Sequence, residues 1–441
     1  MVTTTDTPTR ETSAINPQRL AWFTMLAGLV VFVLLCIGTV AFARWLVFES
    51  PTGMNVTLHV GQGTVGLQVP DSSSESAVRS SAEVNLNDRL STDNLSQGYL
   101  AFSDPYSGDI VATVMLGNDS AATLSRANRP RFNLSENAYT IRMKDVVGNV
   151  EVWVSNALER HIQVDIETPQ GMVRIVEQGN ILITVRPDEM TVTARDGSAV
   201  VHAPNGATRA VARTMVATLR LGASAIELSQ GPLDLLPYST FGTAWPKEWI
   251  CAHVPDPEFP NAPGGDTEYG MSDGRPMIHL WRYDSGPTPA KTGCYQQMGD
   301  NGSSLDVMPY ESLHLRVTMK VVHQSLSACG IAGTECAIML RMDYIDQNSN
   351  PRIWYHGFYA EYRPGEGMRI CDSCWEPHEQ INPNSWYTYE SGDLLNEWPK
   401  ELRPGAITRI EFYASGHEYD VMLNEVALIA TLPDGTSANA R

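Results

Sequence analysis

The stretch LAWFTMLAGLVVFVLLCIGTVAFA, residues 20–43, decides how this chain is organised. It carries no charge, and as a helix it would be about 36 Å long, which exceeds the roughly 30 Å hydrocarbon core of a bilayer. No comparable apolar run follows it in the sequence. The stretch therefore predicts a short cytoplasmic tail over 1–19, a transmembrane anchor over 20–48, and an ectodomain from residue 50 onward.

The charges that flank this stretch predict its orientation. Arg10 and Arg19 precede it and Arg44 follows it, a small positive-inside bias that places the N-terminus in the cytoplasm. Ala41 and Ala43 resemble the cleavage site of a signal peptide, which is the competing interpretation. Signal-peptide apolar regions span only about 7–15 residues, so an uncleaved anchor is favoured. The predicted localisation is the plasma membrane, single-pass, with the bulk of the chain extracytoplasmic.

The composition limits the partners and the fold class. The chain has 31 Lys and Arg residues against 50 Asp and Glu residues, a formal net charge of −19. An acidic surface repels phosphate backbones, which argues against nucleic acid as a partner. Gly, Pro, Asn and Asp interrupt short apolar runs throughout the ectodomain, a pattern typical of a mainly β protein.

The first ectodomain region, residues 50–230, is predicted to be a β domain. Its apolar runs recur about every eight to eleven residues, and EMTVTAR at 189–195 alternates apolar and polar side chains. This repetition suits either a sandwich or a short β-solenoid. No helix-length amphipathic pattern interrupts it, which argues against a doubly wound enzyme domain.

Several motifs in this region resemble the FecR-type extracytoplasmic domain. They are N-D-R-L-S-T-D at 87–93, I-E-T-P-Q-G at 166–171, V-R-I at 173–175, I-T-V at 183–185 and T-V-T-A-R-D-G-S-A-V-V at 191–201. The resemblance implies a β-solenoid-like binding or spacer module on a bacterial surface. The best-known members of that family regulate a sigma factor through a cytoplasmic domain of many tens of residues, and a 19-residue tail departs from that pattern.

Residues 231–274 are dense in Pro and Gly and are predicted to be an extended linker. A second β domain over 275–432 and a C-terminal tail over 433–441 follow it. The closing segment of this domain, Y-D-V-M-L-N-E-V-A-L-I at 419–429, resembles the last strand of jelly-roll carbohydrate-binding modules. The resemblance implies a β-sandwich.

Cysteine placement predicts that disulfides staple the C-terminal domain alone. Six cysteines allow 15 connectivities, and their even number fits an oxidising compartment. Proximity favours the pairs Cys251–Cys294, Cys329–Cys336 and Cys371–Cys374. Because His378 follows Cys371 and Cys374 closely, a zinc site is the alternative at that point, and a local disulfide is favoured over it.

Aromatic residues are concentrated between 354 and 398 and include the candidate ligand-binding side chains. Flat aromatic faces bind sugar C–H groups, whereas strand aromatics can equally fill a sandwich core. The candidates are Trp354, Tyr355, Tyr359, Trp386, Tyr387 and Tyr389.

An oxygen-rich turn at 343–350 offers the candidate metal ligands Asp343, Asp346 and Asn348. Calcium takes six to eight oxygen ligands, so this turn is a weak calcium candidate. A solvated Asx-type hairpin turn is the favoured interpretation. The sequence otherwise suggests no cofactor.

The sequence favours a non-catalytic cell-envelope binding protein whose ligand is a glycan or another envelope component. H-E-x-x-H, G-x-S-x-G, P-loop and dinucleotide motifs are all missing, so we do not expect an enzyme. A structural or accessory subunit that binds protein partners is the alternative. Carboxylates near the aromatic residues, such as Glu390, leave a glycan-acting enzyme as a weaker one. The oligomeric state stays open.

Overall fold

The structure is a computed structural model that describes residues 17–70, 72, 74–155, 160–241, 247–299 and 303–433. These residues form two compact units. The first contains residues 17–52 together with Pro130–Asn137, and the second contains residues 53–129 and 138–433. Most of the predicted cytoplasmic tail, 1–16, and most of the C-terminal tail, 434–441, lie outside the described residues.

The first unit is built on one helix, α1 (Pro17–Phe48), which has no buried residue. It is the one helix among the described residues that is long and apolar enough to cross a membrane, a test that a signal sequence also passes. The Thr24 and Thr39 hydroxyls donate to the carbonyls of Leu20 and Leu35, at 3.0 and 2.8 Å. The helix thus satisfies these hydroxyl donors internally, as a hydrocarbon environment requires.

Short strands follow the helix as far as Gln230, and we call them the N-terminal β region. Their bounds are β1 (Pro51–Gly53), β2 (Asn55–Gln62), β3 (Val65–Gln68), β4 (Ser76–Val78), β5 (Ser81–Glu83), β6 (Arg89–Thr92), β7 (Gln97–Ser103), β8 (Ile110–Leu116), β9 (Ala121–Pro130), β10 (Tyr139–Val154), β11 (Ile162–Glu167), β12 (Met172–Ile175), β13 (Gly179–Val185), β14 (Glu189–Asp196), β15 (Ser198–His202), β16 (Thr208–Ala212), β17 (Met215–Arg220) and β18 (Glu227–Gln230).

Two sheets make up this region, and the long strand β10 belongs to both. Residues 140–147 pair with β9 and residues 139–143 with β11, in a sheet of order β4-β3-β6-β9-β10-β11-β12-β15-β16. Residues 150–154 pair with β8 and residues 148–154 with β13, in a sheet of order β5-β2-β7-β8-β10-β13-β14-β17-β18. Gly148 allows the turn between the halves, since its φ of +85° is a left-handed conformation that favours glycine.

Alternating apolar side chains from both sheets form one core. In β14, Met190, Val192 and Ala194 are buried, whereas the threonines between them are partly exposed, as the alternation at 189–195 predicts. All of these strand pairs are antiparallel except β10 with β11. A solenoid stacks its strands in parallel, so the arrangement is the sandwich-like one of the two predicted alternatives.

The remaining strands form the C-terminal sandwich. Their bounds are β19 (Leu233–Asp234), β20 (Ile250–Pro255), β21 (Asp266–Ser272), β22 (Arg275–Arg282), β23 (Ala290–Gln297), β24 (Leu305–Asp306), β25 (Ser312–Gln324), β26 (Ile338–Asp346), β27 (Pro351–Tyr359), β28 (Glu379–Gln380), β29 (Tyr387–Glu390), β30 (Pro404–Gly416) and β31 (Tyr419–Thr431).

Two antiparallel-rich sheets enclose the core of this sandwich. One has the order β21-β22-β31-β25-β29 with β19 beside β31, and the other has the order β20-β23-β30-β26-β27-β28 with β24 beside β30. The segment predicted as a linker contributes β19, β20 and β21 to these sheets. Pro and Gly lie mainly at the turns between these strands, which explains why composition alone indicated a strap.

Three disulfides staple the C-terminal sandwich: Cys251–Cys294, Cys329–Cys336 and Cys371–Cys374. They are the pairs that proximity favours. The first joins β20 to β23 directly across the ladder, because Cys251 and Cys294 are register partners. Cys36, in the helix, is the one free cysteine among the described residues.

Candidate functional site

In the N-terminal β region, the sheet that contains residues 148–154 of β10 has one face that points away from the core. Strand β10 runs N-V-E-V-W-V from 149 to 154, and its Val150 and Val152 are buried in the core. Because strand side chains alternate, Glu151 points to the opposite face. Met115 and Leu182 are its register partners on the two neighbouring strands, so these three residues form a row across the sheet.

The C-terminal sandwich covers part of this surface with its edge strand β29. Gln97 Nε2 donates to the Thr388 carbonyl at 2.9 Å, and the Thr388 amide donates back to Gln97 Oε1 at 3.3 Å. The Thr388 hydroxyl lies 3.4 Å from Met115 Sδ. These contacts hold β29 against strands β7 and β8.

A cleft of about 670 Å³ remains where the two surfaces diverge. We call it the junction cleft. Its lining is mainly amides, carboxylates and tyrosines from both regions: Gln62, Asn94, Leu95, Gln97, Met115, Gly117, Asn118, Asn149, Glu151, Leu182, Thr184, Arg316, Glu379, Tyr387, Thr388, Tyr389 and Glu390.

A buried charge network forms the base of the junction cleft. Arg316 donates to Glu151 and to Glu425, with its Nε 3.1 Å from Glu425 Oε2. Its Nη1 lies 3.5 Å from Glu390 Oε2, a carboxylate that is half exposed. Burial alone would lower the pKa of Arg316, but Glu151 and Glu425 raise it. Arg316 therefore stays charged and holds three carboxylates around one guanidinium.

Glu151 is held ionised by the same network. Burial alone would raise its pKa, but the charges of Arg316 and Arg195 and a 2.7 Å hydrogen bond from Asn180 lower it to about 2. Asn180 thus orients one oxygen of Glu151 and Arg316 the other. Glu151 is therefore a rigidly held carboxylate in the lining of the cleft, and each of its oxygens has a protein donor.

The opposite wall of the junction cleft contains a second chain of paired polar groups. The Tyr387 hydroxyl donates to Glu379 Oε2 at 2.6 Å, and His356 Nε2 lies 3.3 Å from Glu379 Oε1. Burial raises the pKa of Tyr387, and Glu379 raises it further, so this phenol stays protonated. Burial opposes the charge of Glu379, but His356 and Tyr387 lower its pKa.

The structure buries most of the candidate ligand-binding aromatics. Five of them are at most 6% exposed, because their rings fill the cores of the sandwich or its contact with the N-terminal β region: Trp354, Tyr359, Trp386, Tyr387 and Tyr389. Trp354, Tyr359 and Trp386 thus have no free face on which a sugar could stack. Tyr387 and Tyr389 still line the junction cleft, and Tyr355 alone is partly exposed.

The three candidate calcium ligands are not arranged around a cation. The Asp346 carboxylate accepts from the amides of Asn348 and Asn350 at 2.9 and 2.8 Å, and from Arg352 Nε at 3.0 Å. The hydrogen bonds from Asn350 do most to lower the pKa of Asp346 to about 2. Asp343 pairs with Arg341 instead. Protein donors thus occupy the carboxylate oxygens of Asp346 and Asp343, as in an Asx-type turn.

The zinc alternative concerns His378 and its neighbouring cysteines, which lie close together. His378 Nδ1 accepts from the Gly357 amide at 2.9 Å, and Nε2 is 2.8 Å from the Gly333 carbonyl. Both ring nitrogens therefore have backbone partners, and Cys371 and Cys374 are bonded to each other. His378 thus links the Cys329–Cys336 loop to strand β27.

Two residues at the base of the junction cleft, Glu151 and Arg316, were not among the candidates from the sequence. Glu151 and Arg316 are 165 positions apart, and no local motif joins them. A signal did exist, since each charged residue stands between two apolar ones, in V-E-V at 150–152 and L-R-V at 315–317. A charge in such a position needs a partner, because burying it unpaired is costly.

No family model and no curated protein matches this sequence. Among solved structures, the chain is similar to an anti-sigma factor from Parabacteroides distasonis at 14% identity and a TM-score of 0.24, covering 32% of this chain and 59% of that one. The family 11 carbohydrate-binding module of cellulase Lic26A-Cel5E of Clostridium thermocellum aligns at 13% identity and a TM-score of 0.26, covering 47% and 99%.

The family 22 carbohydrate-binding module of Clostridium thermocellum Xyn10B aligns at 10% identity and a TM-score of 0.23, over 45% of this chain and 94% of that one. The identities and TM-scores of these neighbours assign neither a family nor a ligand to this chain.

Proposed function

We propose that this chain is a membrane-anchored, non-catalytic binding protein of the bacterial cell envelope, and that it binds a glycan in the junction cleft. Helix α1 is the proposed anchor, because its apolar residues are exposed along its whole length and it is long enough to span a bilayer. The three disulfides suit an extracytoplasmic location for the C-terminal sandwich.

The shape and lining of the junction cleft carry this proposal. Its volume of about 670 Å³ falls in the range of small-molecule sites, about 300–1,000 Å³. Amide side chains such as Asn118 and Asn149 both donate and accept, which suits the hydroxyl groups of a sugar. The carboxylates of Glu151, Glu379 and Glu390 line the cleft, whereas Arg316 is its one guanidinium. We therefore expect the cleft to favour neutral or amine-bearing glycans over acidic ones.

The alternative, an assembly subunit that binds protein, is favoured by a different observation. Apolar side chains are exposed in the Cys329–Cys336 loop and beside the Cys371–Cys374 loop: Ile331 is 91% exposed, and Met368, Ile370 and Trp375 are 49, 37 and 37% exposed. Backbone hydrogen bonds from Met368 to Gly330, and from Cys329 to Met368, hold these loops together. A rigid, exposed apolar group of this kind suits a protein contact.

The test uses the full chain in detergent micelles on an array of neutral, amine-bearing and acidic glycans, followed by calorimetry on the bound class. Glu390→Gln and Asn118→Ala change exposed side chains of the junction cleft. Each should weaken binding about tenfold, the loss expected for one hydrogen bond to a charged or polar group. Glu227→Gln makes the same change at a 61% exposed carboxylate that does not line the cleft, and should bind normally.

Three outcomes would contradict this function. Binding that is unaffected by both cleft substitutions would move the site elsewhere, and an array without bound glycans would favour the protein-binding alternative. Shortened glycan products that disappear in Glu379→Gln or Glu390→Gln would indicate a glycan-acting enzyme instead.

A further inference from the structure

A short loop from far along the chain closes the C-terminal end of helix α1. Asn137 Nδ2 donates to the Phe48 carbonyl at 3.1 Å, and the Ser135 hydroxyl donates to the same carbonyl. The Arg131 amide donates to the Ser50 carbonyl at 2.9 Å. A helix end leaves its last carbonyls without helical partners, and this loop supplies donors to the last of them, Phe48. Pro130–Asn137 accordingly belongs to the same compact unit as the helix.

Both the loop and the adjacent end of the helix have exposed apolar side chains. Phe132 is 40% exposed and Leu134 is 74% exposed, while Trp45 and Phe48 of the helix are 47 and 48% exposed. Each exposed apolar side chain is unfavourable in water, by about 25 cal/mol per Å². Arg131, also exposed, adds a positive charge to the same loop.

The position along the helix places this loop at the edge of a bilayer. When residues 20–43 fill the hydrocarbon core, Phe48 lies about 7 Å beyond it, at 1.5 Å per residue. The headgroup layer is about 5–8 Å thick on each side. A loop bonded to the Phe48 carbonyl therefore lies at headgroup level, where Trp45 is also expected as part of an aromatic belt.

We propose that Pro130–Asn137 is a membrane-interface contact, in which Phe132 and Leu134 insert among phospholipid headgroups and Arg131 faces the phosphates. This inference depends on the proposed role of α1 as a membrane anchor. The loop and the helix end together form one apolar rim, and lipid is the occupant because this rim continues the lipid-facing surface of the helix. The contact holds the end of the anchor at a fixed depth.

The test uses the full chain in phosphatidylcholine nanodiscs with Cys36→Ser, which removes the one free thiol among the described residues. Leu134→Cys and, separately, Phe132→Cys receive a nitroxide label. Collisions with oxygen, which concentrates in lipid, are compared with collisions with a water-soluble nickel complex. Leu95→Cys is the matched control, because Leu95 is 71% exposed and lies in the other compact unit.

Labels at 132 and 134 should lose most of their collisions with the nickel complex and gain collisions with oxygen, relative to the label at 95. Two positions are labelled separately, so that a local disturbance by the label at one of them does not decide the result. Equal collision rates at all three positions would overturn the inference. Extraction of the unlabelled chain from membranes by alkaline carbonate would overturn the anchor as well, whereas retention with water-exposed labels would overturn the loop contact alone.

Discussion

Arg195 Nη2 lies 2.5 Å from Glu425 Oε1, and this ion pair joins the N-terminal β region to the C-terminal sandwich. The two side chains are only 12 and 2% exposed. Arg316 contacts the second oxygen of Glu425 and also pairs with Glu151. Because buried charges are costly without partners, these four residues couple the two regions, which belong to one compact unit.

Removing the charge of Glu425 should destabilise the protein strongly. Glu425→Gln leaves Arg195 and Arg316 with too few carboxylates in a buried site, and breaking a buried pair costs about 3–5 kcal/mol in the free energy of unfolding. Urea denaturation followed by tryptophan fluorescence would measure this loss. The control Glu227→Gln breaks an exposed pair with Arg220 and should cost less than about 1 kcal/mol. Equal losses would show that the junction network does not stabilise the fold.

Stability should fall in acid partly because of Glu151. Its pKa is lowered to about 2 in the folded protein, against about 4.3 in an unfolded chain. A lowered carboxyl pKa contributes stability above the unfolded value, and that contribution is lost as the pH falls from about 4.3 towards 2. Melting temperatures across this window should therefore fall more steeply for the native sequence than for Glu151→Gln. Parallel curves would mean that Glu151 does not titrate with folding.

Local patterns predicted the strands, whereas contacts distant in sequence formed the site. The alternation at 189–195 indicated the buried set Met190, Val192 and Ala194, because side-chain direction in a strand depends on neighbouring positions alone. The linker interpretation failed at Leu233–Asp234, whose pairing partners are Ala430 and Ile429, almost two hundred residues away. Pro and Gly content carries no information about such a partner.

The junction cleft could not be predicted for the same reason. It exists because β29 lies across a sheet whose strands come from the first half of the chain. Of the six candidate aromatic residues, only Tyr387 and Tyr389 line the cleft. Composition identifies an aromatic-rich strand, but the packing of the two regions decides which rings remain accessible.

The disulfides should stabilise the C-terminal sandwich unequally. Cys251–Cys294 closes a loop with a sequence separation of 43, and Cys371–Cys374 one with a separation of 3. In the chain-entropy model, losing the first should cost about 4 kcal/mol and losing the second about 2 kcal/mol. Urea denaturation of the paired Cys→Ser variants measures both. A larger loss from the short loop would show that the contacts around His378, rather than loop closure, dominate there.

Trp386 should behave as a core residue, although the sequence made it a candidate ligand-binding side chain. It is 1% exposed, and its Nε1–H donates to Asp273 at 2.8 Å. Lys320 lies 5.7 Å from its ring centroid and also pairs with Asp273, so the indole belongs to a packed polar group. Trp386→Ala should therefore lower the free energy of unfolding by about 3–5 kcal/mol, as large-to-small core substitutions do.

Two further variants separate packing from ligand contact at this position. Trp386→Phe keeps most of the ring volume but loses the donor to Asp273, so it should cost clearly less than Trp386→Ala. Trp375→Ala removes an indole that is 37% exposed and should also cost less, because a partly exposed side chain leaves no closed cavity when it is truncated. Glycan binding measured on the same variants completes the test. If Trp386→Ala reduced binding while leaving the unfolding free energy unchanged, the ring would be a contact surface, and the buried position assigned to it here would be wrong.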